Sequence, residues 1–557
     1  MLDKRVSRVN SFLIKLLSII LFTTHYKYCW RFCLSITMTQ AKSDKRSGEL
    51  RADGNVFYIK RQFFDALLKY NESLCYAEVD TENAGLVYAN RSAVYFEMKL
   101  FDKAIKNIEL AKLHKYPEKN FEILDRRATK CNEMKGDRDT TSDPWNLFKL
   151  TYPANKAVPF IADCLELKES EKYGRHIITN KPLKVGDVVS IETPFCSVLL
   201  SESKFVEVPP ANIYQRCSNC LQDSTLDLIP CSTCTKAMFC SQECLETSYK
   251  RYHRYECPVM DELLSSGSVH IALRLFFIAL STFDGSIETV EKFFGENERK
   301  PTTVFDVVSS SSENEKNRTR LLAITSLMAS KKLFSLHQHG RILSNHPRLK
   351  SVWEFHQEFI ESFIQKLCRI SDLNFHGIFG GSLQEREQNQ KTLPNDLQQS
   401  IGTGSLLFAS LVNHSCVNNL LRTCVQGKVI YVVCRPVPNG AQLFDCYKTN
   451  FMKQRKAERQ ARLFKDFGFP CDCEACALNF PSPPALTFKD VKLLKFAKKA
   501  DEEILTLPRG KAVEKYRECC DALERNNRNY PCIELCFLQT TIAKFLLNHA
   551  RPAILIP

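Results

Sequence analysis

The sequence predicts a multi-domain α+β protein, and three observations predict it. A helical pattern from Leu50 to Met134 repeats itself after 38 positions, a run from Cys164 to Leu200 alternates polar and apolar residues between turn signals, and eight cysteine and histidine ligands crowd between Cys217 and Cys257. With 557 residues, 44% of them apolar, the chain can bury several cores. Many of its 25 cysteines fall in short metal-type spacings. That usage suits a reducing compartment and argues against a secreted disulfide scaffold. The formal charge of +14 is spread along the chain. It allows acidic partners or nucleic acid, and no long basic block demands them.

Residues 1–45 read as an N-terminal extension. Ser11 to Phe22 is apolar and follows Lys4, Arg5 and Arg8, which imitates a signal peptide. Lys15 interrupts it, and the longest uncharged run, Leu16 to Thr24, is too short to span a bilayer. No stable membrane span is expected here, and Met38 offers an alternative start with a polar N-terminus.

Residues 46–136 read as helical repeats. Gly54, Phe57, Ala66 and Tyr70 recur as Ser92, Tyr95, Ala104 and Ile108, where small residues let paired helices approach, and a partial third unit begins near Phe121. The segment Tyr88-Ala-Asn-Arg-Ser-Ala-Val-Tyr95 resembles a tetratricopeptide repeat. That resemblance implies a peptide partner: Arg51, Asn55, Asn90 and Arg126 fall where chaperone-binding members clamp a terminal carboxylate. Glu122 stands where lysine is usual and would repel an acidic tail. A chaperone C-terminal tail and proline-rich peptides are the expected partners.

Residues 137–159 are polar, carry Pro144, Pro153 and Pro159, and read as a linker. Residues 160–216 read as short strands, with turns at Tyr173-Gly174-Arg175 and Val185-Gly186-Asp187.

In residues 217–257 the ligands form four pairs: Cys217 with Cys220, Cys231 with Cys234, Cys240 with Cys244, and His253 with Cys257. Such spacing lets one turn place both side chains on one ion, so four pairs make two tetrahedral zinc sites. The pairs can be joined in sequence order or interleaved, and spacing alone does not decide. The order resembles a MYND finger, in which interleaving is the rule and the role is structural or peptide-binding.

Residues 258–372 are helical at Met260 to Phe283, Leu321 to Ser335 and Val352 to Ile370, and read as packing and a substrate wall. Between them, residues 295–319 carry a four-serine run and read as a disordered, exposed loop. Scattered His337, His339 and His356 read as satisfied or solvent-facing.

Residues 373–450 and 451–480 hold three further strings. They are Ser410-Leu-Val-Asn413-His414-Ser415-Cys416, Gly440-Ala-Gln-Leu-Phe-Asp-Cys-Tyr447, and Phe467-Gly-Phe469-Pro-Cys471-Asp-Cys473-Glu-Ala-Cys476. The last supplies three thiolates, one short of a tetrahedral site. With Gly174-Arg175-x-Ile177, Leu183-x2-Gly186-Asp187 and Ile191-Glu192-x-Pro194 upstream, these strings resemble the SET domain of lysine methyltransferases. With the finger in between, the chain resembles the SET-and-MYND methyltransferases, in the branch with N-terminal tetratricopeptide repeats.

That resemblance implies an all-β SET core with an inserted finger and helical insert, a post-SET zinc site and a helical C-terminal segment. It makes Cys416 the fourth ligand to Cys471, Cys473 and Cys476, for three zinc ions in all. It makes S-adenosylmethionine the cofactor, bound by Gly174, Arg175, Asn413 and His414, with Phe469 stacked on adenine and Phe467 beside it. It sets Tyr447 at the methyl-transfer channel as the catalytic residue. A methyl passing in line from a sulfonium to a neutral amine needs a closed pocket and a narrow channel, with no covalent nucleophile. Departures from the family pattern are Val417-Asn418-Asn419, Ala441 and Gln442 for two glutamates, His176 for glycine, and His376 where asparagine is common.

Residues 484–557 read as three helices, Phe488 to Leu505, Ala512 to Asn526 and Cys532 to Asn548. They resemble the start of the family's C-terminal domain, are short for it, and imply a more open cleft. Cys519, Cys520, Cys532 and Cys536 read as buried thiols. The expected function is protein-lysine N-methylation by a cytoplasmic and nuclear monomer acting on a protein substrate. The alternative is a catalytically inactive adaptor, transcriptional or chaperone-linked. Direct sequence-specific nucleic-acid binding is not expected, because the finger lacks a basic reading helix.

Overall fold

The computed structural model describes residues 41–550 except 80, 136–142, 201–211, 268, 299, 308–311, 381–398 and 482–484. Met38 and nearly all of the N-terminal extension lie outside the described residues, as do three of the four consecutive serines.

Helices Asp44–Ile59, Phe63–Tyr76, Glu82–Glu97 and Phe101–Leu113 form two hairpins, followed by Phe121–Met134. The repeated small positions are where these helices meet: a Cβ at Gly54 would collide with the Tyr70 ring. Ala66, Ser92, Ala104 and Ile108 are buried at the matching places. Close approach of paired helices is what these residue sizes allow.

The strand-rich core contains β1 (Leu165–Ser170), β2 (Gly174–Thr179), β3 (Val188–Glu192) and β4 (Cys196–Leu199). The short finger strands follow as β5 (Ile229–Pro230) and β6 (Met238–Phe239). Beyond the helical insert come β7 (His376–Gly380), β8 (Gln399–Ser405), β9 (Asn413–His414), β10 (Leu420–Val425), β11 (Lys428–Val433) and β12 (Phe444–Asp445). One sheet runs β10-β11-β3 and another β4-β8-β7, while β1 pairs with β2 and β9 lies parallel to β12. Both faces of β11 are buried. Val429, Tyr431 and Val433 point into the main core, while Ile430 and Val432 point into a second one, the period of two expected of a strand covered on both sides.

That second core is made with helices Val491–Glu503, Arg509–Asn526 and Ile533–His549, where Tyr516 stacks on Phe545 with ring centroids 4.3 Å apart. Gly186 turns at φ +96° against this layer, and a Cβ there would press on Cys520 Sγ at 3.2 Å, so glycine suits both the backbone and the space. Cys519, Cys520 and Cys532 are buried thiols and Cys536 is half-buried.

Two expected loops are packed instead. The described part of the linker, residues 143–159, joins the core: Phe148 and Val158 are 1% exposed, and Tyr152 donates to Asp187 Oδ2 at 2.9 Å. A few apolar side chains spaced among the prolines supply enough buried surface to hold it. The stretch 295–319 also contains order. Thr303 caps a turn at Val304–Asp306, and Ser312 and Glu315 form a capping box that starts helix Glu313–Thr325. That reciprocal cap nucleates a helix whose polar start gave no periodic signal. The insert also contains Val269–Thr282, buried along nearly its whole length. Among the described residues no single helix is long and apolar enough to cross a membrane.

The finger sits between these parts. From the repeats, Asn71 Nδ2 donates to the carbonyls of Tyr214 and Leu226, both at 2.9 Å. Arg91, fully buried, donates to Leu228 O at 2.7 Å and to Asp227 Oδ1 at 2.8 Å, and Lys106 reaches Asp227 Oδ2 at 2.8 Å. On the other side, Glu256 accepts from Arg274 at 2.7 and 2.9 Å and faces His270 Nε2 at 3.0 Å.

Burial alone would raise the Asp227 carboxyl, but Arg91, Lys103 and Lys106 outweigh it and hold the carboxyl below its usual value. Its contribution to stability is therefore complete above the ordinary carboxylate range and is lost only as pH falls through the lowered value. Asp227→Asn is expected to cost about 3 kcal/mol, because Arg91 is left buried without its counter-charge. Urea unfolding followed by tryptophan and tyrosine emission checks this; an unchanged midpoint would mean that the pair does not hold the repeats to the finger.

Candidate functional site

Among the described residues, three sulfur-rich clusters have the geometry of metal centres. Cys217, Cys220, Cys240 and Cys244 converge in one, Cys231, Cys234, His253 and Cys257 in a second, and Cys416, Cys471, Cys473 and Cys476 in a third. The interleaved pairing is thus the one that the finger adopts. Cys220 and Cys240 sulfurs are 3.6 Å apart, Cys231 and Cys257 3.8 Å, and Cys416 and Cys476 3.7 Å. A tetrahedron with Zn–S bonds of about 2.3 Å has edges of about 3.8 Å, so these donor sets fit zinc.

Outer partners aim at the sulfurs as well. Gln222 Nε2 lies 3.0 Å from Cys240 Sγ and Asn219 N 3.4 Å from Cys217 Sγ. His253 turns Nε2 toward Cys231 and Cys234 while Nδ1 faces Glu256 Oε2 at 3.8 Å. A carboxylate behind a ligating histidine fixes its ring and tautomer.

The third cluster organises the residues expected at a methyl-transfer site. Cys416 lies two residues after β9, which runs beside β12, with Asn413 opposite Phe444 and His414 opposite Asp445. This pairing brings Tyr447 against His414, with rings 5.3 Å apart and Tyr447 N–H donating to His414 Nδ1 at 2.9 Å. On the far side of the cluster, helix Lys456–Phe467 ends at Gly468, φ +79°. The turn returns Phe467 to 5.0 Å from Tyr447 and Phe469 to 6.2 Å from His414. Four residues from three separate strings therefore form one half-open aromatic group.

Burial lowers His414 to about 4. The ring is neutral near pH 7, and with Nδ1 accepting, its proton sits on Nε2, 3.4 Å from Cys416 Sγ. Burial also pushes the Tyr447 phenol above its ordinary value, helped by Asp445, so the hydroxyl stays protonated and donates to Val412 O at 2.8 Å.

Gly174 reaches the same region through Tyr173, whose carbonyl accepts from Asn413 Nδ2 at 3.0 Å and whose ring meets Phe444 at 6.2 Å. At φ +58°, Gly174 has open space where a Cβ would stand. The Arg175 side chain is not brought to the aromatic group. It donates to Thr302 O at 3.3 Å and Ser326 O at 2.8 Å and ties β2 to the insert. His176 turns back, Nδ1 2.8 Å from Gly174 O, and leans on Tyr173 at 5.8 Å.

Asn418, which stands where the family has proline, donates to Leu420 O at 2.6 Å, and Asn419 donates to Gln442 O and accepts from Phe444 N. Among the described residues, neither Gln442 Nε2 nor His376 Nδ1, both buried, has a hydrogen-bond partner. Beneath Tyr447 lies a network that the sequence did not signal: Tyr431 OH donates to Asp445 Oδ2 at 2.7 Å, with Arg422 3.6 Å away. Only the adjacency of Asp445 to Tyr447 hinted at it.

A family model for the MYND finger matches residues 217–257. The chain is 22% identical over 510 residues to protein-lysine N-methyltransferase SMYD4 of Danio rerio, covering 78% of this chain and 66% of the relative. It is homologous to the SET and MYND domain-containing proteins. The SMYD4 protein of Homo sapiens is 23% identical over 536 residues, 76% of this chain and 66% of the relative. The histone-lysine N-methyltransferase SMYD3 of Mus musculus is 22% identical over 348 residues, 62% of this chain and 69% of the relative. The chain thus spans just under two thirds of the SMYD4 proteins that it matches.

In the MYND finger and the third cluster alike, the ligand sets predict a zinc content of three ions per chain. Cys416→Ser is expected to bind two and to loosen Phe467 and Phe469 from Tyr447, read by metal analysis and by hydrogen exchange over 410–476. A variant that still carried three would remove Cys416 from the ligand set.

Proposed function

We propose that this chain is an S-adenosylmethionine-dependent protein-lysine N-methyltransferase built on a SET core. The observation that carries the reading is the meeting of Asn413, His414, Tyr447, Phe467 and Phe469 around the Cys416 cluster, in a homologue of proteins named as lysine methyltransferases.

The residues fit such a cofactor. Gly174 leaves open space, and Phe467 and Phe469 keep ring surface accessible. When bound, S-adenosylmethionine supplies a methyl on a sulfonium, and transfer forms the Nζ–C bond and breaks the C–S bond after the lysine has given its proton to water. Asn413 and His414 offer polar partners, and Phe469 a face for the adenine. Tyr447 holds a protonated hydroxyl that can orient the amine, and the surrounding rings exclude water from the reacting atoms.

A second reading is a non-catalytic adaptor that keeps this fold as scaffold. Buried Gln442 Nε2, without a partner among the described residues where the family has glutamate, favours it, as does the engagement of Arg175 by the insert. We also read the N-terminal hairpins as tetratricopeptide-type, in a cytoplasmic and nuclear monomer. Asn55 Oδ1 accepts from Asn90 Nδ2 and from Tyr70 OH, both at 2.8 Å, so two of the clamp positions lie side by side. Glu122 stands 3.9 Å from Arg126 and partly spends its charge.

Tyr447→Phe is expected to lower methyl transfer to a lysine-bearing protein extract by on the order of 10²-fold while cofactor binding persists. Calorimetric titration with S-adenosylmethionine separates the two readings, since a zinc-loaded chain with no affinity for it would leave the adaptor. Asn55→Ala with Asn90→Ala should abolish capture of an acidic chaperone-tail peptide, and undiminished capture would remove the clamp.

A further inference from the structure

A cavity of about 770 Å³ opens where three parts of the chain meet. These are the Thr193-Pro194-Phe195 turn after β3, the finger at Lys250 and Arg251, and the insert at Ile278 and Arg320. None of the residues assigned above to cofactor or methyl transfer lines it. Its size is that of pockets that hold a small organic ligand or a few peptide residues.

The charges on its wall are unevenly paired. Glu192 spends its carboxylate on the backbone N–H groups of Phe408 and Ala409, at 3.0 and 3.1 Å. Glu313 is held by Arg320 at 2.6 Å, and Asp284 is exposed to solvent. Arg251 has no such partner. It donates one hydrogen bond to Phe195 O at 2.9 Å and lies over the Phe195 ring at 5.1 Å. Among the described residues no carboxylate is within ion-pair distance of it. Lys250 stands beside it, exposed and likewise without an ion pair among the described residues.

Pro194, Ile278, Val304 and Leu407 supply apolar wall, shared with small polar threonine, serine and asparagine side chains. A partly buried guanidinium with most of its donors unfilled is unfavourable on its own and matches a carboxylate in fork geometry.

We propose that this cavity binds a carboxylate carried on a compact apolar body, with the carboxylate on Arg251 and the apolar part between Phe195 and Ile278. An acidic side chain of a partner protein and a free organic acid share that chemistry. The site is independent of the methyltransferase reading, and its test does not use methyl transfer.

Titration calorimetry on the full zinc-loaded chain would use 3-phenylpropionate, acetyl-Phe-Glu-amide, and neutral 3-phenylpropanamide as control. One carboxylate probe is expected to bind one per chain, with the neutral amide and Arg251→Gln each weaker by about tenfold or more. Tighter binding of the free acid supports a small-molecule ligand, and tighter binding of the peptide supports a protein segment. Ser281→Trp, which fills the cavity from its wall and leaves Arg251 in place, should abolish binding with the thermal transition retained. Should Arg251→Gln fail to fold, the amide control and Ser281→Trp decide. Equal binding of acid and amide, undiminished binding by Ser281→Trp, or no binding of either carboxylate at millimolar concentration overturns the proposal.

Discussion

The convergence of Cys416 with Cys471, Cys473 and Cys476 is the constraint on which the candidate site depends. The fourth sulfur comes from 55 residues upstream of its first partner, so one ion would close a loop that contains β10, β11 and β12. Closing it sets β9 against the segment that ends in Tyr447 and returns Phe467 and Phe469 onto the same group. Aromatic rings on a surface turn have many available orientations; here a coordination site removes most of them. Because zinc ligands gather only in the folded chain, the free energy of metal binding is folding free energy for this region.

The finger applies the same economy on a larger scale. Its two metal sites make a small, stiff unit, and that unit presents a buried carboxylate to each side. Asp227 meets Arg91 of the repeats, and Glu256 meets Arg274 and His270 of the insert. Such pairs contribute little net stability compared with apolar packing, but an alternative docking would leave a charge buried alone. They therefore select one arrangement of repeats, finger and insert. The cavity beside Arg251 is a by-product of that arrangement, since its walls come from parts of the chain that meet only once the finger is seated.

Legibility differed by element for identifiable reasons. Zinc ligands announce themselves because two sulfurs on one turn must be a fixed few residues apart, whereas the choice between sequential and interleaved pairing depends on how the turns stack. The repeat was legible because small residues recur where helices touch, at Gly54 and Ser92 for example. Residues 143–159 were misleading: they follow a polar run and carry three prolines, yet Phe148 and Val158 decide the packing. In the stretch 295–319 the low apolar content hid a capping box that starts a helix.

By itself the sequence determined the ligands, the tyrosine with its flanking strings, and the helical and strand periods, because each is a local relation of spacing and residue type. Only the tertiary structure decided where the long side chains go. Arg175 could have faced the aromatic group, yet it ties β2 to the carbonyls of Thr302 and Ser326. Arg91 finds Asp227 at a separation of 136 residues, and Tyr447 rests on Asp445, Tyr431 and Arg422. A buried charge or hydroxyl must be satisfied by whichever group packing brings within reach, and for segments this far apart that choice is made by the assembled core.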